Sequence, residues 1–259
     1  MLLPAFPRFF LPFCTFLLSA PLLTSSARAL PTTNPLPGIT GLGVIPTTDT
    51  ITPGNVETSL GYERVKLRDN DGDVDFLPLA SVNYGVKRGE VGATYLREDS
   101  DIQGFSERNS YYALQGKIRV YERRNLGVAL GAHYLDFGNQ GGADLGNLLS
   151  GYATGSVVFP DPKTGEPRVR AHGGMLLQRV RGGGSSDTTV RPFAGAEYLF
   201  SPNLSLAADY LFEDDPTVRA LSLSLRFTPQ NSPFGAQIGV GKLSRDSNIF
   251  LGLSYVFGR

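Results

Sequence analysis

The sequence predicts an all-β protein, a transmembrane antiparallel up-and-down β-barrel of about 12 strands. Three observations carry that prediction. Apolar and polar residues alternate with period two in runs of roughly ten residues. The connections between runs alternate between tight and longer. An export signal opens the chain.

The export signal is an apolar run through Phe9, Phe10, Leu11, Phe13, Phe16, Leu17, Leu18, Leu22 and Leu23 that follows Arg8. Ala27-Arg28-Ala29 closes it with small residues, which predicts cleavage before Leu30 and a signal peptide over 1–29. Prolines at 4, 7, 12 and 21 argue against a stable spanning helix there, since each removes a backbone donor. Cys14 lies within this segment, so disulfides and thiol catalysis are not expected of the mature chain. The bulky Phe13 before Cys14 also argues against a lipid anchor. A periplasmic lead segment over 30–54 and a barrel over 55–259 complete the expected organisation.

Composition points the same way, with 31 Gly, 11 Tyr, 16 Phe and only 19% charged residues. Formal charge is zero and the pI is about 6.7, which lacks the basic footprint of a nucleic-acid binder.

Alternation is clearest toward the C-terminus. Leu221, Leu223, Leu225 and Phe227 alternate with Ser222, Ser224 and Arg226. Leu204, Leu206, Ala208, Tyr210 and Phe212 stand against Ser205, Ala207, Asp209 and Leu211. The same spacing sets Phe234, Ala236, Ile238 and Val240 against Gly235, Gln237, Gly239 and Gly241, and Leu114, Ile118 and Val120 against Gln115, Lys117 and Arg119. Helical spacing explains none of these runs. The predicted strands are 55–67, 74–86, 90–98, 110–120, 126–137, 149–159, 168–180, 190–200, 204–213, 217–227, 234–243 and 248–257.

Tight turns at Lys87-Arg88-Gly89, Glu122 to Asn125, Ser201-Pro202-Asn203 and Thr228 to Pro233 are expected to face the periplasm. The Gly- and Asp-rich stretches Arg68 to Asp73, Glu98 to Asn109, Gly138 to Asn147 and Arg181 to Thr189 are expected to face outward, while the connections near Asp214 and Ser244 are short. Closure follows from solvent physics: hydrocarbon cannot satisfy a free sheet edge, and a ring has none. Tyr62, Tyr84, Tyr134, Tyr198, Phe200, Tyr210, Phe227, Tyr255 and Phe257, near strand ends, are read as interfacial girdles.

Two resemblances add to this. The last strand, Phe250-Leu-Gly252-Leu-Ser-Tyr255-Val-Phe257, resembles the assembly signal of outer-membrane proteins, although Gly258 and Arg259 follow the final aromatic. That resemblance implies that the barrel assembly machinery reads 250–257 as a strand edge. Gly38-Ile-Thr-Gly41-Leu-Gly-Val-Ile-Pro46-Thr-Thr-Asp-Thr, followed by Gly54, resembles the opening of YjbH-like barrels linked to exopolysaccharide, over about a tenth of the chain. It implies a role in envelope polysaccharide.

Alternation turns Glu57, Glu63, Lys117, Arg119, His133, Arg168, Arg170, His172, Arg191, Glu197, Asp209 and Arg226 toward the lumen. Unpaired charges in a dry interior cost several kcal/mol each, so the lumen is either wet or internally paired. The excess of Arg over acid favours anions. A barrel hydrolase would need a Ser beside His133 or His172 and a third group orienting the ring. Leu135 and Gly174 stand where the outer-membrane phospholipase pattern places that Ser. No catalytic residue is therefore assigned. Asp69, Asp71, Asp73 and Asp75 around Gly72 have the spacing of a weak Ca²⁺ loop, or of a solvated acidic hairpin.

The leading expectation is a non-enzymatic outer-membrane barrel, a narrow pore passing small or saccharide solutes or assisting envelope polysaccharide traffic. A structural or adhesive barrel is the alternative, and a lipid-modifying barrel enzyme the third. Outer-membrane lipid and the assembly machinery are the expected partners, with no resident cofactor.

Overall fold

A computed structural model of the chain describes residues 45–68, 72–102, 105–123, 125–140, 143–144, 146–182, 185–212, 220–229, 232–243 and 246–258. The expected signal peptide, the lead segment up to residue 44, Asp69, Asp71 and Arg259 lie outside these residues.

The architecture is one closed ring of twelve antiparallel strands, as predicted. They are β1 (Val56–Leu67), β2 (Gly72–Val86), β3 (Gly89–Ile102), β4 (Phe105–Arg123), β5 (Leu126–Asp136) and β6 (Asn147–Pro160), followed by β7 (Pro167–Gly182), β8 (Ser185–Ser201), β9 (Leu204–Leu211), β10 (Ala220–Phe227), β11 (Phe234–Leu243) and β12 (Asp246–Phe257). Each strand pairs with its sequence neighbours, and β1 closes the ring on β12 from Val56 opposite Phe257 to Lys66 opposite Ser247. A two-residue ladder, Asn139–Gln140 against Ala143–Asp144, lies within the β5–β6 connection.

Two of the expected long loops are largely strand. The β3–β4 ladder continues to Ile102 opposite Phe105, and the β7–β8 ladder to Gly182 opposite Ser185. These extensions, such as Ser106-Glu107-Arg108-Asn109-Ser110, are polar on both faces, so no alternation marks them.

Alternation sets the two faces. Outward positions carry exposed apolar side chains, among them Leu60, Val82, Leu114, Ile118, Leu130, Leu149, Met175, Leu177, Leu223, Ile238, Val240 and Leu251. A soluble protein does not expose a contiguous apolar surface of this extent, whereas a barrel in hydrocarbon requires one. On β12 the band runs from Ile249 to Phe257, a height of about 20 Å for a tilted strand. Tyr84, Tyr121, Phe159, Tyr198, Phe200, Phe227, Tyr255 and Phe257 ring the short-turn end, with Tyr112, Tyr134 and Phe212 toward the other. Several ring members stack edge-on, including Tyr198 on Phe200 at 5.1 Å and Tyr255 near Phe257 at 4.7 Å. Beyond the band at the long-loop end the outward positions turn polar, at Arg64, Asp75, Arg97, Asp136, Arg179 and Lys242.

In the C-terminal motif, Tyr255 and Phe257 point outward, while Phe250 is buried inside and Gly252 lies opposite Gly61 and Gln237. The Phe250 ring fills the space beside Gly239, its cross-strand partner, where any Cβ would collide with it. Tyr152 does the same over Gly131.

Leu223 sits in the middle of the band, so Leu223→Arg is expected to cost about 2–4 kcal/mol of folding stability in bilayers. Lys242→Arg, beyond the band, should leave it unchanged. Denaturant titration in lipid vesicles checks both, and equal effects would contradict the assigned band.

Candidate functional site: a lumen filled by the chain's own lead segment

The inward face has two storeys. Toward the long loops it is mainly apolar: Val65, Val74, Phe76, Leu96, Tyr111, Leu135, Leu148, Phe193 and Leu211 belong to one cluster, with the buried carboxyls of Glu98 and Glu63 taken up by Tyr111 and Asn248. Phe76, Leu96, Leu135 and Leu148 are 0% exposed, so this storey is packed rather than open.

Toward the short turns the wall is polar, and residues 45–55 occupy the space it encloses. The stretch expected to lie in the periplasm is therefore, over its described part, inside the barrel. It enters beside the β2–β3 turn, where Gly54, at φ +84°, donates to the Gly85 carbonyl at 2.8 Å and Gly85 donates back to Asn55 at 2.9 Å. Only a glycine at position 85 admits this approach, because a Cβ there would meet the Thr52 carbonyl at 2.2 Å. Gly127 makes similar room for Thr48 on the opposite wall.

A short irregular segment cannot satisfy its own backbone, so wall side chains must do so. Ile51 N donates to Glu90 at 3.1 Å, Thr48 N to Ser156 Oγ at 3.3 Å, and Ile45 N to Asp209 at 3.2 Å. Its carbonyls accept from Lys117 at Thr47 (3.1 Å), Arg119 at Thr48 (3.1 Å) and Thr154 at Pro46 (3.0 Å). Arg119 also donates to Thr50 Oγ1 at 3.1 Å. Ile45 joins the apolar cluster at its inner end.

The strongest contact is charged. Arg170 Nη2 grips both carboxylate oxygens of Asp49, at 2.7 and 2.8 Å. Arg170 Nη1 reaches Glu197 at 3.2 Å, and Glu197 in turn accepts from Arg226 and from Ser205, each at 2.6 Å. These groups alternate in sign, as buried charges must if desolvation is to be offset. Lys117 lies 3.4 Å from Glu90 in a second pair. Burial opposes ionisation of Asp49, but Arg170 outweighs it and holds the carboxyl below its ordinary range. Because the folded-state pKa is lowered, the stabilisation is fully present at pH values above the ordinary carboxylate range and is lost as pH falls through the lower folded-state value.

The residues expected to line the lumen divide as follows. Arg170, Glu197 and Arg226 meet in one network, and Lys117, Arg119 and Asp209 bind the lead segment. Ser222 also donates to Asp209. Glu57, His133 and Arg191 are buried on the inward face, and Glu63 accepts from Asn248 at 2.5 Å far toward the long loops. Arg168 differs: it is exposed and lies on the outward face of Tyr198, 5.1 Å from the ring centroid, with Nε donating to the Tyr198 hydroxyl at 3.0 Å. The register slips where Pro160 meets Pro167, which breaks the strict alternation that assigned Arg168 inward.

Alternation missed Glu90, hidden beside the Lys87-Arg88 turn, and Asp49, which lies in no strand. It also missed Ser156, whose hydroxyl is 2.7 Å from His172 Nδ1. Counting back from the Asp161–Glu166 turn would set Ser156 opposite Ala171, and the slip beside Pro160 is what brings it opposite His172. Ser156 accepts from Thr48 N, which leaves its proton for the ring nitrogen, and His172 Nε2 has no hydrogen-bond partner. Both residues lie under the lead segment, where this Ser–His pair bridges backbone to wall, and among the described residues no third group orients the ring through Nε2.

Of the acidic loop, Asp73 pairs with Arg64 at 2.5 Å and Asp75 accepts from the Tyr62 hydroxyl at 2.7 Å. Among the described residues no group of three or more His, Cys, Asp or Glu is arranged to hold a metal.

No family model matches the chain, and no curated protein matches it. Among solved structures it is similar to the KdgM porin in complex with disordered oligogalacturonate, with a TM-score of 0.52 and 12% identity over 77% of this chain and 99% of that one. It is also similar to the translocator domain of the autotransporter NalP from Neisseria meningitidis, with a TM-score of 0.52 and 14% identity over 82% and 91% of the two chains. At these identities the likeness is one of fold, that of outer-membrane barrels.

Arg170→Ala strands Asp49 and Glu197 without their shared cation and is expected to cost about 3–5 kcal/mol of stability. Adding Asp49→Ala should recover part of that loss. Denaturant titration of the two single variants and the double variant measures the coupling, and additive losses would contradict a direct ion pair.

Proposed function

We propose that this chain is a non-enzymatic outer-membrane barrel that passes small or saccharide-like solutes through a lumen gated by its own residues 45–55. The short turns face the periplasm, the long hairpins face the medium, and the export signal brings the chain there. One observation carries the reading: the polar storey has a wall lined with ionic and hydroxyl groups. What fills it is a segment joined covalently only at Asn55 and held by side-chain contacts. The fold it shares with the KdgM porin, solved with an oligogalacturonate, supports passage of saccharides. The YjbH-like opening motif, which includes the lumen segment, supports a link to envelope polysaccharide.

A structural barrel without transport is the second reading, favoured by the packed apolar storey. In the gated reading that storey must rearrange when the segment leaves, since Ile45 packs against it.

A cysteine pair separates the two. A Cβ at Gly127 would stand 3.2 Å from the Thr48 Cβ, slightly under the roughly 3.5–4.5 Å a disulfide spans. In a Cys14→Ser background, Thr48→Cys with Gly127→Cys should give silent bilayers when oxidised and ion conductance after reduction. Silence in both states, and in the unsubstituted chain, would establish the closed structural barrel instead.

A further inference from the structure

We propose that Arg170 is the binding site for a solute carboxylate, and that Asp49 occupies it as a built-in surrogate for that solute. The inference rests on the passage reading and names the class of solute: acidic, hydroxyl-rich molecules of which a uronate is the simplest.

The geometry of the contact is that of ligand recognition. Arg170 approaches Asp49 with one amino nitrogen spanning both carboxylate oxygens at 2.7 and 2.8 Å, while its other terminal nitrogen is fixed by Glu197 at 3.2 Å. The wall orients the group through Glu197, which lies on the neighbouring strand β8 and accepts from Nη1 whichever carboxylate sits on Nη2. Arginine is suited to this task because its planar guanidinium can hold two carboxylates at once in fixed directions, Glu197 on Nη1 and a second on Nη2.

Charge enforces the exchange. In the network around Arg170, two guanidinium groups, Arg170 and Arg226, face two carboxylates, Glu197 and Asp49. Withdrawal of Asp49 leaves one buried positive charge in excess, and an uncompensated buried charge is costly. The vacated position therefore takes another anion.

The surroundings select which anion. Beside the carboxylate site, the segment's carbonyls accept from Lys117, Arg119 and Thr154 Oγ1, and its amides donate to Ser156 Oγ, Glu90 and Asp209, a mixture of donors and oxygen acceptors. When the peptide leaves, these groups lose their bonds to it together, while Ser156 keeps His172, Glu90 keeps Lys117 and Asp209 keeps Ser222. A solute with one carboxylate and several hydroxyls replaces both kinds of contact, whereas chloride replaces only the charge.

Displacement of the segment provides the readout. In the full chain carrying Cys14→Ser and Thr48→Cys, residue 48 is buried by the wall and its rate of alkylation by a water-soluble maleimide reports release. Sodium glucuronate is expected to raise that rate roughly tenfold, with glucose, and sodium chloride at matched ionic strength, leaving it unchanged. Asp49→Asn should raise the rate without any solute. Arg170→Gln should abolish the response to glucuronate, and Arg170→Lys, which keeps the charge but not the fork, should weaken it, with folding of each variant verified by heat-dependent gel mobility.

An equal response to chloride, or a glucuronate response that survives Arg170→Gln, would overturn the proposal. An equal response to glutamate would overturn its saccharide part. If glucuronate releases the segment but the reduced cysteine pair never conducts, the carboxylate site stands and the passage reading falls. If that pair conducts while alkylation ignores glucuronate, passage stands and the carboxylate site falls.

Discussion

A strand whose outer side faces hydrocarbon can place its N–H and C=O groups only against another strand, and this requirement dictates most of what the molecule does. It forces β12 back onto β1, fixing Val56 against Phe257 and the rest of that seam in register. Once the ring is closed, side chains must sort by the solvent on each side, and the usual order is reversed. Leucine, valine and isoleucine cover the exterior, while Glu57, Arg170, Glu197 and Arg226 are among the most buried groups.

That reversal creates the problem the lumen solves. A ring of this size encloses charged groups that no apolar core can neutralise, and they must be hydrated or matched. Here they are matched by a peptide. The lead segment supplies one carboxylate to Arg170 and backbone groups to Lys117, Arg119, Glu90, Ser156 and Asp209, so main chain meets these polar groups of the wall. Gly85 and Gly127 mark where the wall was thinned to admit it. The apolar storey beyond packs mostly on itself and takes only Ile45 from the segment.

Much of the ring was legible in the sequence because a half-buried strand writes its environment at every second residue. Strand number, closure, the girdle aromatics and the tight turns all follow from that period. Legibility failed wherever the period had no cause. The outer part of the β3–β4 hairpin has water on both sides, and so reads as loop. Arg168 follows a slip between two prolines, which turned an inward parity outward. The segment around Asp49 is surrounded on all sides by different strands, and no repeating spacing can encode that. Its position depends on which side chains point inward at one height of the ring, and this becomes visible only once the strands are in register.

The taller hairpins have a consequence at the other end of the molecule. Residues 105–111 of β4 lie beyond the pairing of β5, which begins at Tyr112, and residues 185–191 of β8 lie beyond that of β9, where Pro192 still accepts from Phe212 N at 2.9 Å. Among the described residues no strand takes up these flanks, so a fold that abolishes sheet edges in lipid restores two of them in water. Such flanks recruit passing chains, and the defence against that is charge. Glu107, Arg108 and Asp187 stand along them, with Arg108 held by Asp99 at 2.6 Å. The outermost surface of the barrel is thereby kept from polymerising into sheet with its neighbours.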